Sequence, residues 1–123
     1  MLGRILVLAI AVAVSLAADM RGDELLEHCQ AYERFNETQE IRSDLMSAGV
    51  CLGFITGVQD TIDALMLYKR LATFVCPPQG LTRGDTVTLV IRYLEKNPKY
   101  LELTANLAVI AALQNAFPCG EKQ

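Results

Sequence analysis

The chain has 123 residues, 14 acidic against 11 basic, and a net charge of −3. Apolar residues make up 52% of it, which suits the core of one small domain. This mildly acidic balance, with no basic patch, argues against nucleic acid or an anionic membrane surface as partner.

Residues 1–17 read as a secretory signal peptide. Arg4 is the leading cation, Ile5 to Val14 the apolar run, and Ser15 and Ala17 the small residues before the cut. The run falls short of the roughly 20 apolar residues that span a bilayer. Cys29, the first cysteine, lies too far on to become a lipid-modified terminus. The expected mature domain is therefore 18–123, placed outside the cytoplasm.

The rest of the chain reads as helical. Asp23 is placed to cap a first helix, with Glu24 in its first turn and Leu25, Leu26, Cys29 and Tyr32 as its apolar stripe. Arg34 to Arg42 is polar and reads as a loop. The acceptor pattern at Asn36 within it matters only in a eukaryotic secretory pathway. Ser43 then caps a long second helix running to about Tyr68. Pro77 and Pro78 make the stretch Cys76 to Gly80 a loop. Thr82 and Asp85 have near-capping-box spacing ahead of a third helix, whose stripe is Val87, Val90, Ile91 and Leu94. Asn97 and Pro98 stop that helix and start a fourth, with Leu103, Leu107, Ile110, Leu113 and Phe117 facing inward.

The second helix carries an unusual series: Gly49, Gly53 and Gly57, beside Cys51 and followed by Asp60. Each interior glycine costs roughly 0.5–1 kcal/mol relative to alanine. At 100° per residue Gly49, Gly57 and Asp60 fall within about 40° of Gly53. Thr56, Gln59 and Asp63 form the only polar strip. A helix apolar or small over so much of its circumference is expected to be central and buried. Its glycine face would admit another backbone, with Ala105, Ala108 and Ala112 of the fourth helix as the small partner surface. A homodimer seam is the other reading of that face. Asp60 either bonds a backbone N–H of a neighbouring helix end or is solvated.

Four cysteines remain after the leader: Cys29, Cys51, Cys76 and Cys119. An even count in an oxidising compartment implies two disulfides. No pair has CxxC spacing, so neither a zinc site nor a thioredoxin-like site is expected. In an up-and-down bundle the end of helix one meets the start of helix two, and helix four returns to the end where helix three began. The expected pairs are therefore Cys29–Cys51 and Cys76–Cys119, each contributing about 3–4 kcal/mol in the loop-entropy account. The fold class is all-α, a small four- to five-helix bundle stapled by two disulfides.

Catalysis is hard to assemble from these residues. The single histidine, His28, adjoins Cys29, and helical neighbours point about 100° apart, so they make no nucleophile–base dyad. Ser43 and Ser47 are the only serines after the leader, and HExxH, GxSxG and glycine-rich phosphate loops are missing. No enzyme activity, metal or cofactor is expected.

In order, the chain presents "DELLEHC", "CLGFITGVQD", "CPPQGLTRGDTVTLVIRYLEKNP" and "ANLAVIAALQNAFPC". This ordered set, covering most of the mature chain, resembles the Rap/Tai type VI secretion immunity proteins. The resemblance implies a small periplasmic helical protein that binds and inhibits a peptidoglycan amidase effector, with the glycine segment as scaffold. A general periplasmic chaperone or envelope-stress protein is the alternative. Acid-triggered opening of that kind is opposed by two disulfides. Binding surface is then expected from loops and helix ends. The leading candidate is Pro77 to Arg83, preset by two prolines, anchored at Cys76, and offering Gln79, Leu81 and Arg83. The plainer reading is that this loop only caps helix three.

Overall fold

The computed structural model describes residues 19–38, 42–68 and 75–120, so the expected leader lies outside the described residues. Four α-helices follow in order: α1 Gly22–Thr38, α2 Arg42–Leu67, α3 Arg83–Lys96 and α4 Ala105–Ala116. A 3-10 turn, Pro98–Leu101, sits between α3 and α4. The all-α class stands, and the disulfides pair Cys29 with Cys51 and Cys76 with Cys119.

α1 begins one residue before the expected cap. Glu24, rather than Asp23, reaches back to the exposed backbone at the helix start, accepting from Arg21 N at 2.9 Å. Asp23 accepts from Glu24 N in the same turn at 2.9 Å and pairs with the Arg21 guanidinium at 3.0 Å. α1 also runs through Arg34 to Thr38, where the sequence reads as a loop. That last turn is polar because it is exposed, not because it is irregular. The Thr38 hydroxyl donates to Arg34 O at 2.9 Å, and the Arg34 guanidinium reaches Asp44 of α2 at 3.1 Å. α2 already includes Arg42, so Ser43 lies inside the helix rather than ahead of it.

α1 and α2 form a hairpin with the most extensive helix–helix contact in the molecule. Cys29 and Cys51 join them from inside the core, both fully buried. By length and composition alone α2 would pass for a membrane span. Its disulfide and its buried stripe make it instead one arm of this hairpin.

That stripe is narrower than expected. Ala48, Cys51, Ile55, Gln59 and Ile62 are buried, at the three-and-four spacing of a single seam. Gly49, Gly53 and Gly57 point away from it and are exposed. Among the described residues nothing lies within 4 Å of the position a Cβ would take at any of the three. The expected close approach of a neighbouring helix to this face is therefore not made within the described residues. Ala105, Ala108 and Ala112 are indeed buried, but in the common core rather than against the glycines. One consequence is measurable: Gly53→Ala should stabilise the protein by about 0.5–1 kcal/mol, since it adds helix propensity where there is open space. Urea titration at concentrations dilute enough to keep the chain monomeric checks the sign, and destabilisation there would mean that part of the chain itself covers this face.

α3 buries the expected stripe of Val87, Val90, Ile91 and Leu94. Pro98, however, opens the 3-10 turn rather than the fourth helix, and α4 starts only at Ala105. The rotation of α4 is set by the segment before it. Gly22 N donates to Leu103 O at 2.8 Å and Ala105 N to Met20 O at 2.7 Å, forming a clasp around the bridge between Arg21 and Thr104. That clasp turns Ala105, Ala108, Val109, Ala112 and Leu113 inward. Leu103 and Leu107, expected in the stripe, are left 42% and 50% exposed.

Candidate functional site

The segment from Val75 to Thr82 carries no regular helix, yet it is fixed along its length up to Arg83, the first residue of α3. Val75 is buried and seats its start. Cys76 is bonded to Cys119, and its N–H donates to Phe117 O at 2.8 Å, tying the loop to the end of α4. Pro77 and Pro78 restrict the next two φ angles. Gln79 and Gly80 form a turn in which Gly80 adopts φ 85°, a conformation that costs side-chain-bearing residues about 1–2 kcal/mol.

The far end of the loop is held by a full capping box. Asp85 N donates to Thr82 Oγ1 at 3.0 Å, and Thr82 N donates to Asp85 Oδ2 at 3.1 Å. These bonds from Thr82 hold the Asp85 carboxyl below its ordinary value. A depressed carboxylate stabilises the fold above its unfolded pKa, so this contribution is lost as pH falls through the acid range.

Two side chains from the middle of α2 meet this end. The Arg83 guanidinium forms an ion pair with the Asp60 carboxylate. Thr86 Oγ1, on the buried side of α3, donates to Gln59 Oε1 at 3.1 Å. Asp60 thus bonds neither a backbone N–H nor water alone: its partner is the loop's own arginine. Both charges are partly exposed, so the pair contributes up to about 1 kcal/mol and chiefly orients Arg83. Gln59 belongs to the polar strip of α2 yet is buried, and Thr86 supplies its partner. The spacing of Thr82 and Thr86, one helical turn apart, carries no hint of that long-range contact.

Of the residues singled out by sequence, Gln79 is exposed and Leu81 half-buried, and Arg83 leans toward α2. A shallow groove of about 460 Å³ runs beside them, walled by Gln59, Asp63, Pro77, Pro78 and Arg83. Leu81 turns the corner into a second groove of about 550 Å³ between α3 and α4. A third, mainly apolar groove of about 570 Å³ follows the open glycine face, floored by Gly53, Phe54, Gly57, Val58 and Ile110.

Cys29 is locked in a disulfide beside His28, whose Nδ1 is buried and has no hydrogen-bond partner. Among the described residues no three or more histidine, cysteine or acidic side chains are grouped to hold a metal ion. The arrangement is that of a stapled helical scaffold presenting one rigid loop and open grooves. The chain belongs to the Rap1a immunity protein family, whose model matches residues 21–119. That match runs from the clasp at Arg21 to the disulfide at Cys119. Searches of curated proteins and of solved structures returned no match.

Proposed function

We propose that the protein is a periplasmic immunity protein that binds a secreted type VI effector, a peptidoglycan amidase, and inhibits it without catalysis. Membership of the Rap1a immunity family supports the immunity role. The amidase as target rests on the resemblance of the ordered cysteine, glycine and FPC segments to the Rap/Tai proteins. The signal-like 1–17 segment and the two disulfides support an exported, oxidising location.

The observation that carries the binding role is the loop from Pro77 to Arg83. It is exposed at Pro78, Gln79 and Gly80, and fixed by a disulfide at one end and by a capping box and an ion pair at the other. A loop already ordered loses little entropy on docking. Gln79, Leu81 and Arg83 are its contacts in this proposal: a polar side chain, an apolar one and an oriented cation.

The test is a cell-wall digestion assay with a candidate peptidoglycan amidase, taken from the neighbouring genes where one is encoded there. Stoichiometric inhibition is expected, weakened about tenfold or more by Leu81→Ala with Arg83→Ala. Full inhibition by that variant would remove the loop and keep the function. No binding to any such amidase would remove the function.

A second copy of the chain is a further proposed partner, seated on the face of Gly49, Gly53 and Gly57. That face is open and borders the apolar groove of about 570 Å³. Sedimentation should show a dimer that Gly53→Leu disperses, and a monomer at all concentrations would end this part of the reading.

A further inference from the structure

We propose that the groove between α3 and α4 is a docking site for a peptide segment of the partner protein in which a carboxylate stands beside an apolar side chain. This rests on reading the protein as an inhibitor and specifies what the groove takes from the effector.

The groove measures about 550 Å³ and has two kinds of lining. Leu81, Leu89, Ala112 and Ala116 supply an apolar floor, while Arg92 and Lys96 stand over it. These two cations are four residues apart on α3, so they share one face and repel each other. Among the described residues neither has a carboxylate within ion-pair distance. Asp85 also lines the groove and keeps its negative charge, but its Oδ2 accepts from the amide and hydroxyl of Thr82 and it pairs with neither cation. Glu95 belongs to another face of the helix, where it accepts from Gln30 of α1.

With Asp85 set against Arg92 and Lys96, the groove carries one net positive charge beside an apolar floor. Its complement is a segment that places a carboxylate between Arg92 and Lys96 and an aliphatic side chain on the floor. The arginine fork suits a carboxylate in two-point contact, and the lysine adds a point charge. Leu81 connects this site to the loop, since it belongs to both. A partner lying on the loop reaches the groove without a break.

The probe is the tetrapeptide Leu-Glu-Leu-Glu, acetylated and amidated, titrated into the protein under amide-resolved NMR. Leu-Lys-Leu-Lys with the same ends is the control. Shifts centred on the amides of Leu89, Arg92, Lys96 and Ala112 are expected with the acidic peptide and not with the basic one. Arg92→Glu with Lys96→Glu should weaken that binding about tenfold or more while leaving the melting temperature unchanged, since both side chains are exposed. Shifts of equal size with the basic peptide, or none in the groove, would overturn the proposal. The same double variant is then measured against the candidate amidase of the digestion assay. If the wild-type protein binds it and the variant binds as tightly, the groove is overturned and the inhibitor reading stands. If the wild type binds no amidase, the inhibitor reading fails and the peptide titration alone decides the groove.

Discussion

Removing the Cys29–Cys51 bridge with a paired alanine substitution should destabilise the protein by about 2–5 kcal/mol. Chain entropy alone would rank it second: its residues are 22 apart, against 43 for Cys76–Cys119. Burial reverses the order. Both sulfurs of the first pair sit in the core with Leu25 and Ile55, so their loss also opens a cavity. The Cys76–Cys119 pair lies at the surface, with Cys76 exposed. The same contrast governs reduction. A mild dithiol should open Cys76–Cys119 first, and Cys29–Cys51 should resist until the fold opens. Thiol alkylation with mass mapping reads the order, and early labelling of Cys29 or Cys51 would contradict it.

Gly22→Ala should be the most damaging single methyl added to the protein. A Cβ there would stand 2.1 Å from Tyr100 O and 3.0 Å from Leu101 Cα, all of it backbone that cannot swing aside. The same residue donates its N–H to Leu103 O, so moving it away breaks the clasp. Overpacking of this kind costs about 1–3 kcal/mol, with the lost hydrogen bond in addition. Urea denaturation should show a lower midpoint at unchanged slope. Gly53→Ala, expected to move the midpoint the other way, separates steric conflict from helix propensity. Equal effects at the two positions would show that neither neighbourhood is as described.

These glycines show where sequence reasoning stops. Three in a row at four-residue spacing signal a close approach, and among the described residues the face they define lies open. Gly22, which does make one, carries no pattern at all, because its reason lies at Tyr100 and Leu103, far along the chain. Features set by near neighbours were legible. Thr82 and Asp85 form a capping box because both partners lie within one turn, and α3 buries the stripe its periodicity announces. The disulfide pairing was also legible, because helix order alone brings the right ends together. The rotation of α4 was not. It follows from the clasp with Met20 and Gly22, and local hydrophobicity favours Leu103 and Leu107 over the alanines that are buried. The loop from Pro77 to Arg83 was located by its prolines. Its ion pair with Asp60 and the seat on Gln59 needed the fold.

The anchors of that loop have an evolutionary meaning. Cys76, Thr82, Asp85 and the Asp60–Arg83 pair fix the path of the backbone, and Gly80 supplies the one bend that needs a left-handed residue. None of them depends on the identity of Gln79, and Leu81 contributes only half-buried surface. If the loop contacts the effector as proposed, Gln79 and Leu81 can drift under selection by a changing target while stability stays nearly constant. A scaffold divided in this way can follow an adversary's mutations one contact at a time, without refolding at each step.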